Sequence, residues 1–367
     1  MKNRRGYIRY LLLLLIFNGL IIFMGWNGWV WLHSSFGFAQ PFLYWGIWGF
    51  ISYSYFFRKR SDIFRAIGSF WFGFFQYGVF LFPAADLAVL AAYFCGVSLN
   101  SAIFYTGMVV ISLYIVLFAY GMFNAYQPII RKHQITIAKP LNGRQSMRLA
   151  VASDMHFGRL SGVGHAKRLI EKVNGMKPDI ILLAGDIIDD DLEPFTRKKF
   201  HRIMSDLHAP LGVYGVPGNH DYYGGDLEKL LEVMRSINIR FLMDEAILLE
   251  ESFYLVGRKD RMDRNRLPFD QLTGTLDKTC PVIAMDHQPY ELGQAEESGV
   301  DVLLSGHTHR GQMAPNHLIT KKIYELDWGY LKKGNLHAFV SSGYGFWGPP
   351  LRIGSRSEIL QIDINFS

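Results

Sequence analysis

Cysteine is scarce throughout this chain, and charge is scarce in its first third. The 367 residues include only two cysteines, Cys95 and Cys280. So low a count excludes a disulfide scaffold and a Cys-rich zinc or iron–sulfur module. No Lys, Arg, Asp or Glu lies between Arg9 and Arg58, and only Asp86 interrupts the stretch from Arg65 to Arg131. Residues 1–133 hold 10 basic and 2 acidic residues, whereas residues 134–367 hold 28 and 30. The net charge of +6 therefore belongs to the apolar part. The polar part has no basic surplus with which to neutralise phosphates, so no nucleic-acid partner is expected. Half of the chain is apolar and 15% is aromatic, which excludes a disordered or fibrous protein.

A bilayer crossing takes about 20 apolar residues. The two uncharged stretches predict a transmembrane module over residues 1–133 with four spans, at about 8–26, 41–57, 67–83 and 102–120. Asn27-Gly28 and His33-Ser34-Ser35 mark the first turn, and Pro83 ends or kinks the third span. Residues 84–96 either prolong that span or lie along the interface. Lys2, Arg4, Arg5 and Arg9 flank the start of the first span; Arg58, Lys59, Arg60 and Arg65 follow the second; Arg131 and Lys132 follow the fourth. The loops between carry no Lys or Arg, which predicts both termini, and the polar domain, on the cytoplasmic side of the cell membrane. The rival is a twin-arginine-like run, Asn3 to Arg9, which as an export signal would place that domain outside. Trp26, Trp29, Trp31, Trp45, Trp48 and Trp71 suit either interfacial belts or lipid-facing bulk. Asp86 reads as a residue at the outer interface in preference to a member of a proton or ion path.

From residue 134 onward, short β-rich runs alternate with helical patterns, which argues for an α/β domain over 134–367. Runs at 148–153, 179–184, 212–216, 253–257, 282–285, 300–304 and 338–342 read as strands, and 165–176, 194–207 and 226–237 as helices. Five strands end in metal-ligand types: Asp154-x-His156, Gly185-Asp186, Gly218-Asn219-His220-Asp221, Asp286-His287 and Gly306-His307-x-His309. Strand ends are where α/β sheets build their sites.

The donors are imidazole, carboxylate and amide oxygen with no thiolate, a set suited to Mn, Fe or Zn. Asp154, His156, Asp186, Asn219, His287, His307 and His309 are too many for one ion. Two divalent ions sharing Asp186 accommodate them. Such a pair lowers the pKa of a bridging water and clamps phosphoryl oxygens during in-line displacement. His220 sits at the edge of the pair, placed to protonate the leaving oxygen, with Asp221 placed to orient it.

This set, in order and spacing, resembles the calcineurin-like metallophosphoesterases over about residues 147–363. The segment Ser341 to Arg352 is similar to that of a bacterial membrane-anchored subgroup. The resemblance implies a four-layer α/β/β/α sandwich with two mixed sheets. It implies one ion on Asp154, His156, Asp186 and His309 and another on Asp186, Asn219, His287 and His307, with His220 catalytic. Arg310 stands where many relatives have Gly, which touches substrate access rather than the ligands.

The expected function is a membrane-integral dinuclear-metal phosphohydrolase. It cleaves a phosphodiester or pyrophosphate by attack of a bridging hydroxide, on a lipid-linked substrate; the alternative is a tethered phosphodiesterase for soluble nucleotides or other small phosphodiesters. Among the remaining motifs, Asp189 reads as an ordering residue or a turn acid, and Asp190-Asp191 as a solvated run or helix cap. Arg258 to Arg266 reads as a solvated mixed-charge loop with anionic headgroups as its functional reading. Tyr344, Phe346 and Trp347 read as either an apolar lip or core.

Overall fold

The computed structural model describes residues 2–58 and 60–367, with the side chains of 2–5 left out. Lys59 and the side chains of Lys2, Arg4 and Arg5, used in the charge pattern, lie outside the described set. The chain divides into two compact units, one ending at Ala119 and one spanning Tyr120–Ser367.

The first unit is helical: α1 (Lys2–Phe36), α2 (Pro41–Tyr53), α3 (Asp62–Phe94) and the start of α4 (Leu99–Tyr126). Three of these helices are long and apolar enough to cross a membrane, over Gly6–Phe36, Asp62–Phe94 and Leu99–Tyr126. The second expected span is corrected: α2 has 13 residues, about 20 Å of helix, short of the roughly 30 Å hydrocarbon core. It gives way at Tyr53 to a single 3-10 turn, Ser54–Phe57. Asn27-Gly28 and His33 to Ser35 do not turn the chain, because α1 runs on to Phe36 with the Asn27 amide donating to the Phe23 carbonyl one turn back. Pro83 lies inside α3, which continues to Phe94 and takes up most of residues 84–96. Helix direction alternates nonetheless. Tyr44 Oη donates to Gly25 O at 2.6 Å and Trp48 Nε1 to Ile21 O at 3.0 Å, so α2 runs back along α1. Tyr114 Oη donates to Phe74 O, which sets α4 beside α3. Trp48 and buried Trp71 thus serve packing within the bundle.

The second unit carries twelve strands, β1 (Ile129–Ile137), β2 (Ser146–Ala152), β3 (Ile180–Ala184), β4 (Val213–Val216), β5 (Ile239–Phe241), β6 (Glu245–Leu249), β7 (Phe253–Gly257), β8 (Val282–Met285), β9 (Val302–Ser305), β10 (Gly329–Lys333), β11 (Leu336–Val340) and β12 (Glu358–Phe366). They form two six-stranded sheets, ordered β1-β12-β2-β3-β4-β5 and β10-β11-β9-β8-β7-β6. Both are mixed: β2, β3, β4 and β5 run parallel in the first, and β7, β8, β9 and β11 in the second, with antiparallel pairs β12–β2, β6–β7 and β10–β11. The expected boundary at 133/134 falls inside β1, whose Arg131 and Lys132 pair with Leu360 and Gln361 of β12.

Alternating faces of the strands supply three cores. Leu149, Leu182, Leu255, Ile283 and Phe339 join residues of both sheets in one cluster. The opposite face of the first sheet packs α5 (Val163–Gly175), α6 (Leu192–Arg197) and α7 (Phe200–Met204) through Leu169, Phe195 and Phe200. The expected helix 194–207 is broken between α6 and α7 at Lys199, whose φ is +57°. The helix α8 (Asn219–Tyr223) follows β4, and α9 (Leu227–Ser236) precedes β5. The second sheet packs α10 (Phe269–Thr273) and α11 (Leu292–Glu297) through Phe269 and Leu292.

Leu182 lies at the centre of the inter-sheet core and is wholly buried. Leu182→Ala is expected to lower stability by about 2–5 kcal/mol, read as a fall in unfolding midpoint of the detergent-solubilised full chain.

Candidate active site

Six loops meet at the carboxyl ends of β2, β3, β4, β8, β9 and β11, strands that run parallel within their sheets. Five of them bring the sequence-predicted donors together. Asp154, His156 and His309 form one group with ligand atoms within 4.8 Å of one another, and Asp186, His287 and His307 form a second. Asp186 Oδ2 lies 3.7 Å from His156 Nε2 and 3.1 Å from His287 Nε2, so its carboxylate stands between the groups. His309 Nε2 is 3.3 Å from Asp154 Oδ1, and Asn219 Oδ1 is 2.7 Å from His307 Nδ1. All seven are gathered at one place.

The backbone is bent to achieve this. Asp154, His156, Asp186, His307 and His309 all have positive φ, between 45° and 71°, a region that costs a non-glycine residue about 1–3 kcal/mol. Glycine is needed where loops touch: a Cβ on Gly218 would stand 2.2 Å from Asp186 Oδ1, and one on Gly306 would stand 2.2 Å from Asp154 Oδ2.

Electrostatics sets the character of the cluster. Asp154, Asp186, His156, His287 and His309 are all within 3% of full burial. Burial pushes His156 and His307 down to about 3, and pushes His309 well below the usual imidazole range. These rings are held neutral, with lone pairs available. Burial raises Asp154 to about 6, while the charge of His287 outweighs burial at Asp186 and holds that carboxyl low, and Asp186 in turn lifts His287 well above the usual imidazole range. Asp154 Oδ2, His156 Nδ1 and His287 Nε2 are buried without a hydrogen-bond partner. Buried polar atoms are normally satisfied. Imidazole nitrogens and carboxylate oxygens converging without a thiolate, with the Nε2 atoms of His156 and His309 3.0 Å apart, fit divalent cations.

His220 and its neighbours depart from expectation. Asp221 does not orient His220. Its buried carboxylate accepts from the backbone N–H of Gly218, Ile187 and Ile188 at 2.9, 3.3 and 3.0 Å, tying the β3 loop to the β4 loop. Successive residues in the helical turn α8 point about 100° apart, so two adjacent side chains cannot face the same partner. Asp190 meets the ring instead, with Oδ1 2.6 Å from His220 Nδ1. Burial would lower His220, but the bond to Asp190 and the charge of Asp186 lift it to about 9. Asp189 joins Asp190 and His220 in one group. The solvated-run reading of Asp190 is therefore corrected.

Arg352 was not singled out by sequence reasoning. It is fully buried, donates to Gly343 O and Gly345 O, and brings Nη2 to 3.1 Å from His309 Nδ1. A lone arginine after Pro-Pro-Leu carries no signal of such a role. Tyr344 and Phe346 are core, whereas Trp347 is half exposed, 6.4 Å from the His220 ring. The Arg258 to Arg266 loop is solvated only in part: Arg261 and Arg264 are exposed, but Arg258 and Arg266 both bind Asp286, next to His287, and Asp260 is buried against Gln288.

Residues 147–311 match the family described as calcineurin-like phosphoesterase. An uncharacterized metallophosphoesterase of Helicobacter pylori is 34% identical over 221 residues, 59% of this chain and 59% of its own length. One from Aquifex aeolicus is 32% identical over 262 residues, 68% of this chain and 97% of its own. A Danio rerio protein named transmembrane protein with metallophosphoesterase domain is 29% identical over 263 residues, 67% of this chain and 60% of its own. The chain thus spans about three fifths of the length of the Helicobacter and Danio relatives.

Asp221→Asn replaces one carboxylate oxygen with an amide NH2, which faces either the Ile188 N–H or the Gly218 and Ile187 N–H pair. Each buried donor left unsatisfied costs about 1–3 kcal/mol. The expected outcome is a lower unfolding midpoint together with reduced divalent-metal content, read by calorimetry and elemental analysis of the same sample.

Proposed function

The chain belongs to the calcineurin-like phosphoesterase family, and we propose that it is a membrane-integral hydrolase that cleaves a phosphodiester or pyrophosphate bond, with a lipid-linked phosphorylated substrate. The observation that carries the hydrolytic reading is the convergence on Asp186 of buried imidazole, carboxylate and amide donors from five strand ends. We read the three cores as the interfaces of a four-layer α/β/β/α sandwich, with residues 1–133 as the transmembrane module and 134–367 as the metallophosphoesterase domain.

In this reading Asp154, His156, Asp186 and His309 hold one divalent ion, and Asp186, Asn219, His287 and His307 hold the other. Mn, Fe or Zn suits the donor set. Bound there, the ions supply an activated water and positive charge for the phosphoryl oxygens. The protein residues do the rest. Asp190 fixes the His220 ring through Nδ1, which leaves Nε2 as the nitrogen that meets the leaving oxygen and gives it a proton. Asp221 holds the β3 and β4 loops in register. Trp347, exposed beside His220, offers an apolar wall to the departing group.

The lipid-linked substrate is supported by three helices long and apolar enough to cross a membrane, more than an anchor requires. The alternating helix directions and the Lys/Arg pattern support a multi-pass arrangement with the catalytic domain on the cytoplasmic side. A soluble nucleotide or other small phosphodiester is the competing substrate class.

The test is hydrolysis by the metal-loaded full chain, in detergent, of phosphodiesters and pyrophosphates with and without acyl chains. His220→Ala is expected to lower kcat about 10²–10⁴-fold with metal content retained, whereas Asn219→Ala loses both. Equal rates on acylated and soluble substrates would refute the lipid-linked reading; full turnover by both variants would refute the chemistry. Chelation is expected to abolish activity and lower the unfolding midpoint, followed by a thermal scan before and after adding Mn.

A further inference from the structure

A second site lies within the Tyr120–Ser367 unit, where α4 ends. It is a pocket of about 340 Å³ whose walls include Arg131, Arg310, Arg356 and Trp328, with Tyr120 and Phe123 from the last turns of α4. It shares no lining residue with the donor cluster.

Its charge is unbalanced. One carboxylate faces these three guanidinium groups: Glu358, fully buried, which binds Arg131 and also accepts from Trp328 Nε1 and Ser342 N. Arg310 and Arg356 remain as the excess. Among the described residues neither has a carboxylate partner. Arg310 Nε is buried with no hydrogen bond at all, and Arg356 uses Nε on the Gln127 carbonyl.

The pocket is also ordered. The Arg310 guanidinium lies 3.9 Å from the centre of the Trp328 ring and that of Arg131 lies 4.8 Å from it. Stacking on an indole fixes the plane of a guanidinium without using its N–H donors, leaving the fork for a bidentate anion. Phosphate is the anion whose oxygens match such forks. Position selects the source of that phosphate. Tyr120 and Phe123 are each 55% exposed at the end of an apolar helix, where headgroups of a bilayer lie and where basic side chains meet anionic lipid.

We propose that this pocket binds the phosphate of an anionic phospholipid headgroup, held by Arg310 and Arg356 beside Trp328. The inference takes α4 as a membrane-spanning helix and is independent of the hydrolytic reading. It gives Arg310, one residue after His309, a role at the membrane rather than in the reaction.

The experiment is native mass spectrometry of the detergent-solubilised full chain, titrated separately with phosphatidylglycerol, phosphatidylcholine of the same acyl chains, and sodium phosphate. No turnover enters the readout, and the measurement is repeated in Asn219→Ala so that a failed hydrolase reading does not affect it. Phosphatidylglycerol is expected to bind in preference to phosphatidylcholine. Arg310→Ala/Arg356→Ala is expected to weaken it about tenfold or more, as loss of charge-assisted hydrogen bonds would. Arg261→Ala/Arg264→Ala, which removes two exposed guanidinium groups elsewhere on the same unit, is expected to change nothing. Should the double pocket variant unfold, Arg356→Gln alone is expected to show a weaker loss in the same direction. Unchanged phosphatidylglycerol binding in a folded pocket variant overturns the proposal. So does phosphatidylcholine binding equal to phosphatidylglycerol. Binding of sodium phosphate but not phosphatidylglycerol assigns a soluble anion and overturns the lipid source.

Discussion

The organising constraint of the second unit is the burial of carboxylates and imidazoles around Asp186. Two carboxylates and four imidazoles are brought into one dry place, and several of their donor atoms find no hydrogen bond. Left alone, such a cluster costs the fold dearly, because desolvated charge and polar groups are tolerated only when paired. Divalent cations supply that pairing. Much of the local architecture follows from holding the donors in place meanwhile. Five of them sit on left-handed backbone, two glycines leave room where a methyl would collide with a carboxylate, and Asp221 binds three backbone N–H groups to lock adjacent loops. These are features of a preorganised binding site.

The strands that carry the site were legible because parallel strands covered on both faces read as short unbroken apolar runs, as in Ile180–Ala184 and Val282–Met285. The donors were legible because they stand directly after those runs. What composition could not reveal is direction. Asp190 and Asp221 flank the site equally well in sequence, and only the helical turn at Asn219–Tyr223 decides that Asp221 faces backbone while Asp190 meets His220. The Arg258 to Arg266 loop misled for a related reason. The partners of its two ends, Asp286 and Glu291, lie 20 or more residues downstream, so a run that looks wholly solvated is anchored at Arg258 and Arg266 in an internal ion network. In the apolar unit, hydropathy measured length but not continuity, and the break after Tyr53 left no mark in composition.

The junction between apolar helix and hydrolytic domain carries a further constraint. Only Gln127 and Pro128 separate α4 from β1, with none of the Gly and Ser content of a flexible linker. The last turns of α4 are hydrogen-bonded into the domain. Asn124 Nδ2 donates to Arg352 O at 3.1 Å, Arg352 N donates to Gly121 O at 2.9 Å, and Ser357 N donates to Asn124 O at 3.0 Å. Arg352 then sends its side chain the other way, to the carbonyls of Gly343 and Gly345 and to the edge of His309. One residue therefore fastens the helix end by its main chain and braces a donor of the site by its guanidinium.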